Sequence, residues 1–146
     1  MKKMILLINS FFLLNCSGIH RVYENNNLDL NNKSTQYVVE KFDAKENNKS
    51  ILFFTSGFEG VNIKIVNGKN EILEEDVETV HQIGFATLKT INNDFPVDVF
   101  ISSNQEKLIT LKKEDLKKNK FIYISKNIEK KNNYKVEYSN SVKSFF

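Results

Sequence analysis

The chain has 146 residues, of which 40% are hydrophobic and 27% charged, and its formal net charge is +3. This length and apolar fraction suit one folded domain with a hydrophobic core. A single Cys excludes an internal disulfide framework and a cysteine-rich zinc site, two His leave little for metal chemistry, and five Gly with one Pro exclude a collagen-like or linker-like chain.

The first segment has the character of an export signal. Met1, Lys2 and Lys3 form a short basic start, and residues 4–14 are apolar except for Asn9 and Ser10. This run is too short to cross a bilayer as a helix, which takes about 20 residues. It is typical of the apolar part of a cleaved signal, so we predict a signal peptide over residues 1–15.

The only cysteine follows this run directly, in Leu13-Leu14-Asn15-Cys16. These residues resemble the lipobox of bacterial lipoproteins, with Asn15 where Gly, Ala or Ser is usual. The resemblance implies that Cys16 becomes the first mature residue and carries lipid chains such as palmitate. Ser17 after the cysteine implies the outer membrane, so the implied location is the bacterial cell envelope and the implied partner is the lipid bilayer through acylated Cys16. The alternatives are an ordinary secretory signal with a chance cysteine, or an uncleaved amino-terminal helix.

Residues 16–34 are predicted to form a polar tether. The segment is rich in Asn and contains few apolar residues, so it buries too little surface to offset the entropy of ordering. A flexible chain of about 18 residues has a reach of roughly 20 to 25 Å. We therefore expect the lipid to hold the domain clear of the head groups.

The charge of the chain does not indicate a nucleic-acid partner. Loss of residues 1–15 removes Lys2 and Lys3 and leaves 19 basic against 18 acidic residues, a net charge of +1. Residues 107–146 hold 11 basic and 4 acidic residues, whereas residues 16–106 hold 8 and 14. We expect the two parts to attract one another within the fold, and the alternative is a basic face toward anionic lipid head groups.

From residue 35 onward, apolar residues recur mostly at two-residue spacing, which predicts strands with one buried face. The predicted strands are residues 36–42, 51–55, 61–66, 69–73, 80–88, 97–101, 107–111, 121–125 and 134–139, with a single helical turn within residues 112–119. Such short strands at roughly ten-residue spacing predict an all-β fold, an antiparallel β-sandwich over residues 35–146.

Two local patterns are more specific. Asn67-Gly68 predicts a type I′ hairpin turn, whose register places Lys64 opposite Glu71 and Ile63 opposite Ile72. The segment 51–54 is continuously apolar, which favours a central strand covered on both faces.

Metal chemistry has little support in the sequence. The densest acidic cluster, Glu74, Glu75, Asp76 and Glu78, lacks the spacing of a calcium loop, and we interpret it as an acidic turn exposed to water. Asn92-Asn93-Asp94 with Asp98 is interpreted in the same way. His20 and His81 have no ligand at metal-binding spacing, so we predict no metal site and no cofactor.

Catalysis also lacks a candidate group. The chain has no Gly-x-Ser-x-Gly turn and no glycine-rich phosphate loop, so we predict no catalytic residue and no enzyme activity. Six aromatic residues suit the core better than a sugar- or protein-binding face, and they are Phe58, Tyr123, Tyr134, Tyr138, Phe145 and Phe146.

The predicted function is that of a membrane-anchored lipoprotein with a non-catalytic binding or structural role in the envelope and an unidentified protein or glycan partner. One alternative is an envelope inhibitor or immunity-type protein that blocks an enzyme with a loop. Another is a carbohydrate- or calcium-binding module.

Overall fold

The computed structural model describes residues 18–101, 107–127, 129 and 133–144. Within these ranges the chain forms nine strands and two short helices. In chain order they are β1 (Ile19–Tyr23), α1 (Lys33–Lys41), β2 (Lys49–Phe54), β3 (Val61–Asn67), β4 (Asn70–Val77), β5 (Thr87–Asn92), β6 (Val97–Ile101), β7 (Lys107–Leu111), α2 (Lys113–Leu116), β8 (Phe121–Lys126) and β9 (Tyr134–Ser139).

The strands form two sheets that pack face to face. One sheet has the order β1-β9-β8-β2-β5 and the other the order β4-β3-β6-β7. Buried residues of both sheets belong to one hydrophobic cluster, including Leu52 and Phe54 from β2 and Ile63 and Ile65 from β3. The predicted all-β sandwich is confirmed. It is not purely antiparallel, because β1 pairs with β9 and β2 pairs with β8 in parallel.

Strand β2 is covered on both faces, as its continuous apolar run predicts. Leu52 and Phe54 face the core between the sheets, whereas Ile51 and Phe53 belong to a second cluster on the outer face. Helix α1 supplies much of that outer cover through Val38 and Val39.

The strand predicted over residues 36–42 is wrong, because residues 36–41 lie in helix α1 and Phe42 is its C-cap. Asn32 caps the helix: its side-chain oxygen accepts the backbone N–H groups of Ser34 at 3.0 Å and of Thr35 at 3.1 Å. Thr35, Val38 and Val39 are buried. Their spacing of three and four residues places them on one face of a helix.

The predicted tether over residues 16–34 is also wrong for the part that the structure describes, and the folded unit includes residues well before 35. Strand β1 lies in parallel beside β9, and the Tyr23 ring stacks on Tyr138 with centroids 4.8 Å apart. Asn26 continues the attachment, because its side chain accepts the backbone N–H of Asn140 at 2.8 Å. Side-chain hydrogen bonds replace much of the apolar burial that this polar segment lacks.

The predicted strand over residues 80–88 is wrong in its first half. Residues 81–84 form a turn that a single antiparallel bridge closes between Val80 and Phe85, and β5 begins only at Thr87. Gly84 adopts a φ of +65° in this turn, a conformation that glycine allows at little cost.

The hairpin of β3 and β4 exists, but its register differs from the prediction. Asn67 pairs with Asn70, so Gly68-Lys69 is the turn, and a bulge at Ile65/Val66 shifts the strands further. Only Gly68 of the turn has positive φ, which fits a type II′ turn rather than type I′. Asn67 is kept in the strand because its side chain accepts the Asn92 N–H at 2.6 Å. The predicted contact between Lys64 and Glu71 is nevertheless present, as a 2.6 Å ion pair.

Candidate functional site

Cys16, the predicted lipidation site, and the signal segment 1–15 lie outside the described residues. The described chain begins at Gly18, at one end of the sandwich. Strands β1 and β9 start at this end, and β2, β4 and β8 finish there. We call it the Gly18 end, and define it by Gly18, residues 55–60, residues 78–86 and residues 126, 127 and 133.

Gly18 is held tightly by the connection between β8 and β9. Its N–H donates to the side-chain oxygen of Asn133 at 3.1 Å, and its carbonyl accepts the N–H of Tyr134 at 2.8 Å. A Cβ atom at Gly18 would lie 2.5 Å from the same Asn133 oxygen, so only glycine fits without a shift. Beside it lies an open cleft of about 580 Å³, lined in part by His20, Lys126 and Lys135.

A loop at the same end is fixed at its base and exposed at its tip. The Thr79 hydroxyl donates to the Thr55 carbonyl at 2.9 Å and accepts the Phe58 N–H at 3.0 Å. Beyond this clamp, the side chains of Val80 and Ile83 are 49% and 44% exposed. Two apolar side chains are therefore presented to solvent on a loop whose base is hydrogen-bonded to the sandwich.

A buried carboxylate lies on the outer face of β9. The Glu137 side chain is 7% exposed and pairs with Lys135 at 2.7 Å on one oxygen and with Lys143 on the other. Lys143 also lies over the Tyr123 ring, 5.0 Å from its centroid. The Tyr123 hydroxyl donates to the Ser141 carbonyl at 3.1 Å and accepts the Lys143 N–H at 3.1 Å. These contacts fasten the segment after β9 to the sheet.

Burial alone raises the pKa of Glu137, but the hydrogen bonds from Lys135 and Lys143 outweigh it and lower the pKa to about 2. Burial raises the pKa of Tyr123. Both groups are thus held in the protonation states they have at neutral pH. A general acid or base works best with a pKa near the operating pH, so neither has the properties of one.

A second cleft, of about 300 Å³, joins this polar cluster to the exposed loop. Ile83 and Gly84 line one side, and Tyr123 and Glu137 line the other. It shares Ser125 and Lys135 with the larger cleft beside Gly18. The two clefts and the exposed loop are therefore contiguous on the molecule.

The predicted acidic turn is wrong, because Glu74, Glu75 and Asp76 lie in strand β4, and two of these carboxylates make structural contacts. Glu75 accepts a hydrogen bond from the Thr87 hydroxyl at 2.7 Å and Asp76 accepts one from Asn62 at 3.0 Å. Glu74 and Glu78 are exposed. In the part of the chain that the structure describes, no group of three His, Cys, Asp or Glu side chains is arranged to hold a metal ion.

The second polar cluster is likewise used by the fold. The Asn93 side chain donates to the Asn47 carbonyl at 3.0 Å. Asp94 pairs with Lys117 at 2.9 Å, and Asp98 accepts the Thr110 hydroxyl at 2.9 Å. The Asn93 amide nitrogen and the carboxylate oxygens of Asp94 and Asp98 stabilise the turn between β5 and β6 and its neighbours.

The candidate aromatic face is interior. Phe58 and Tyr138 are fully buried, and Tyr123 and Tyr134 are 3% and 4% exposed. The interpretation of these four residues as core residues is confirmed. Phe145 and Phe146 lie outside the described residues.

Sequence reasoning missed the exposed pair Val80 and Ile83 because it assigned both to a strand. Their three-residue spacing does not match the two-residue period of a strand, and Gly84 directly follows. Those two features were the available signal for a turn with an apolar tip. Glu137 was missed because an isolated Glu between apolar residues carries no motif.

No protein-family model matches this chain, and a search of curated proteins found no match. Among the described residues, neither helix is long and apolar enough to cross a membrane.

Proposed function

We propose that the protein is a bacterial lipoprotein that is anchored to the envelope, at the outer membrane, through lipid on Cys16, and that its β-sandwich has a non-catalytic binding or structural role. The observation that carries the proposal is the position of the only cysteine. It directly follows an apolar run that is too short to span a bilayer and directly precedes a folded domain, since β1 begins at Ile19.

Acyl chains supply the anchoring in this account. Each buried CH₂ contributes about 0.8 kcal/mol, and one chain alone binds a membrane only marginally. The several chains of a bacterial lipoprotein give stable attachment. Attachment confines the domain to the surface and raises its effective concentration for a neighbouring envelope component.

The fold of the chain from Gly18 onward sets the distance between the lipid and the sandwich. Because only Ser17 separates Cys16 from Gly18, and an extended chain spans at most about 3.6 Å per residue, a lipid on Cys16 holds the Gly18 end within roughly 7 Å of the anchored residue. Because the described chain is paired with β9 from Ile19 onward, no flexible spacer of 18 residues separates the lipid from the sandwich. The sandwich stands directly at the head groups.

Metabolic labelling with a clickable fatty acid tests the proposal. Cells of the source bacterium would express the natural sequence, Cys16→Ser, or the matched control Ser17→Ala, which keeps the thiol. We expect label and membrane sedimentation for the natural sequence and for Ser17→Ala, and loss of both for Cys16→Ser. Equal labelling and sedimentation of Cys16→Ser would contradict lipid anchoring at this residue.

A further inference from the structure

The Gly18 end has features that suit a second contact with the membrane. We propose that this end lies on the phospholipid bilayer, with Val80 and Ile83 inserted among the head groups and upper acyl chains. The proposal rests on the proposed function, because the lipid on Cys16 brings the bilayer to this end. It adds a fixed orientation of the domain, which anchoring by itself does not supply.

The connection from the anchor limits where the bilayer can be. Gly18 is fixed to Asn133 and Tyr134 by hydrogen bonds of 3.1 Å and 2.8 Å. With Ser17 alone between Gly18 and Cys16, the anchor has little freedom to reach another face of the sandwich.

The exposed apolar side chains are at this same end. Gly18 and Lys135 line one cleft, and Lys135 and Ile83 line the adjoining one. Val80 and Ile83 keep about half of their surface in water. Removing this apolar surface from water is favourable, and side chains at a membrane surface enter roughly 5 to 10 Å into the head-group and acyl boundary.

The loop that carries Val80 and Ile83 is already ordered by backbone hydrogen bonds. The Val80 N–H donates to the Phe85 carbonyl at 2.8 Å, and the Gly84 N–H donates to the Val80 carbonyl at 2.9 Å. Below the tip, the Thr79 N–H donates to the Phe58 carbonyl at 2.7 Å. Because the tip is already ordered, insertion requires little further loss of conformational freedom.

Among the residues that the structure describes near the loop, basic and acidic side chains are both present. Lys126 and Lys135 lie at the clefts, whereas Glu59 and Glu78 are exposed on the neighbouring loops. Lys135 is already paired with Glu137. The proposed contact is the apolar one made by Val80 and Ile83, so zwitterionic phosphatidylcholine is a sufficient probe.

Single-tryptophan fluorescence tests this orientation, since the chain has no Trp of its own. Ile83→Trp places a probe on the loop tip. Phe95→Trp is the matched control, because Phe95 is 51% exposed in the turn between β5 and β6, at the opposite end. Each variant would be purified from membranes in its lipidated form and reconstituted in phosphatidylcholine vesicles with and without dibrominated acyl chains.

We expect brominated lipid to quench Ile83→Trp by about twofold or more, because an inserted side chain lies close to the acyl region. Phe95→Trp should be unaffected. Equal behaviour of the two variants in vesicle-bound, lipidated protein would overturn the orientation and leave lipid anchoring intact. Protein that carries no lipid and stays off the vesicles would overturn both proposals.

Hydrogen exchange provides a measurement that does not depend on the folding of either tryptophan variant. Amides of residues 79–85 should exchange more slowly in the lipidated, vesicle-bound protein than in soluble Cys16→Ser. Amides of residues 93–96, at the opposite end, should exchange at the same rate in both. Unchanged exchange of residues 79–85 would contradict the proposed contact.

Discussion

Gly57 lies directly against the backbone of Lys126: a Cβ atom at Gly57 would fall 2.2 Å from the Lys126 carbonyl oxygen. The Lys126 N–H donates to the Ser56 carbonyl at 2.9 Å, so the chain after β2 and the end of β8 are joined here. Gly57 also has a φ of +89°, which disfavours any residue with a side chain. This contact holds residues 56 and 57 against the end of β8 at the Gly18 end.

Gly57→Ala should therefore destabilise the protein by more than about 2 kcal/mol, because backbone atoms must move to admit the methyl group. Gly60→Ala is the matched control. It also has positive φ, at +59°, but a Cβ atom there meets no other atom within 4 Å. It should cost about 1 kcal/mol from backbone strain alone. Urea unfolding of both variants measures the difference, and equal losses would contradict the steric account.

The ion pairs of Glu137 predict a dependence of stability on pH. Its pKa is about 2 in the folded chain against 4.5 for an ordinary Glu, so the folded state favours the carboxylate. The stabilisation is present above about pH 5 and is lost as the pH falls toward 2, and its size is on the order of 2 kcal/mol after screening of the partly exposed lysines. Glu137→Gln should remove this part of the acid sensitivity.

Urea unfolding at pH 7 and at pH 3 checks this prediction. The gap between the natural protein and Glu137→Gln should be large at pH 7 and should narrow at pH 3. Glu71→Gln is the control, because Glu71 pairs with Lys64 in an exposed position and its loss should matter less. A gap for Glu137→Gln that does not change with pH would contradict the proposed role of the ion pairs.

The cap of α1 predicts a loss of folding stability when Asn32, the residue just before the helix, is replaced. Asn32→Ala removes the oxygen that accepts two backbone N–H groups and should cost about 1 kcal/mol. Asn31→Ala changes the exposed neighbour, whose side chain does not cap the helix, and should cost less. Thermal or urea unfolding distinguishes them. Indistinguishable stabilities would argue against the helix start at this position.

The attachment of residues 19–26 to the sandwich predicts that their backbone amides are protected from hydrogen exchange. The Asn26 amide donates to the Ser141 hydroxyl at 2.9 Å, and its oxygen accepts the Asn140 N–H at 2.8 Å. Asn26→Ala should cost about 2 kcal/mol and should speed hydrogen exchange in β1. Asn27→Ala, at an exposed position, is the control. Fast exchange throughout residues 19–26 in the unchanged protein would restore the tether interpretation.

Strands with a clear apolar alternation or run were predictable from the sequence. Residues 97–101, 107–111 and 134–139 have the bounds that the structure shows. The burial of β2 on both faces was also predictable, because a strand with one exposed face alternates apolar and polar residues, whereas β2 has four consecutive apolar residues. In these segments local pattern and tertiary burial agree.

The failures occurred where side-chain hydrogen bonds decide the structure. Asn32 caps α1, a helix whose β-branched residues favour a strand by composition. Asn67 stays in β3 because its side-chain oxygen accepts the Asn92 N–H. Strand β1 joins the sheet at an edge, and the segment that contains it has the polar composition of a linker. The Asn32 cap is local, so an Asn two and three residues before the N–H groups it accepts was an available signal. The bond between Asn67 and Asn92 and the pairing of β1 with β9 depend on partners distant in sequence, so a local pattern does not reveal them. Similarly, exposure of Val80 and Ile83 depends on the loop around them.

Mass spectrometry of the intact protein, purified from membranes of its source cells, decides whether lipid is attached to the Cys16 sulfur. We expect a protein mass that lacks residues 1–15 and includes acyl chains on a chain that begins at Cys16. A Cys16 thiol of unmodified mass, or a mature chain that starts at another residue, would contradict it.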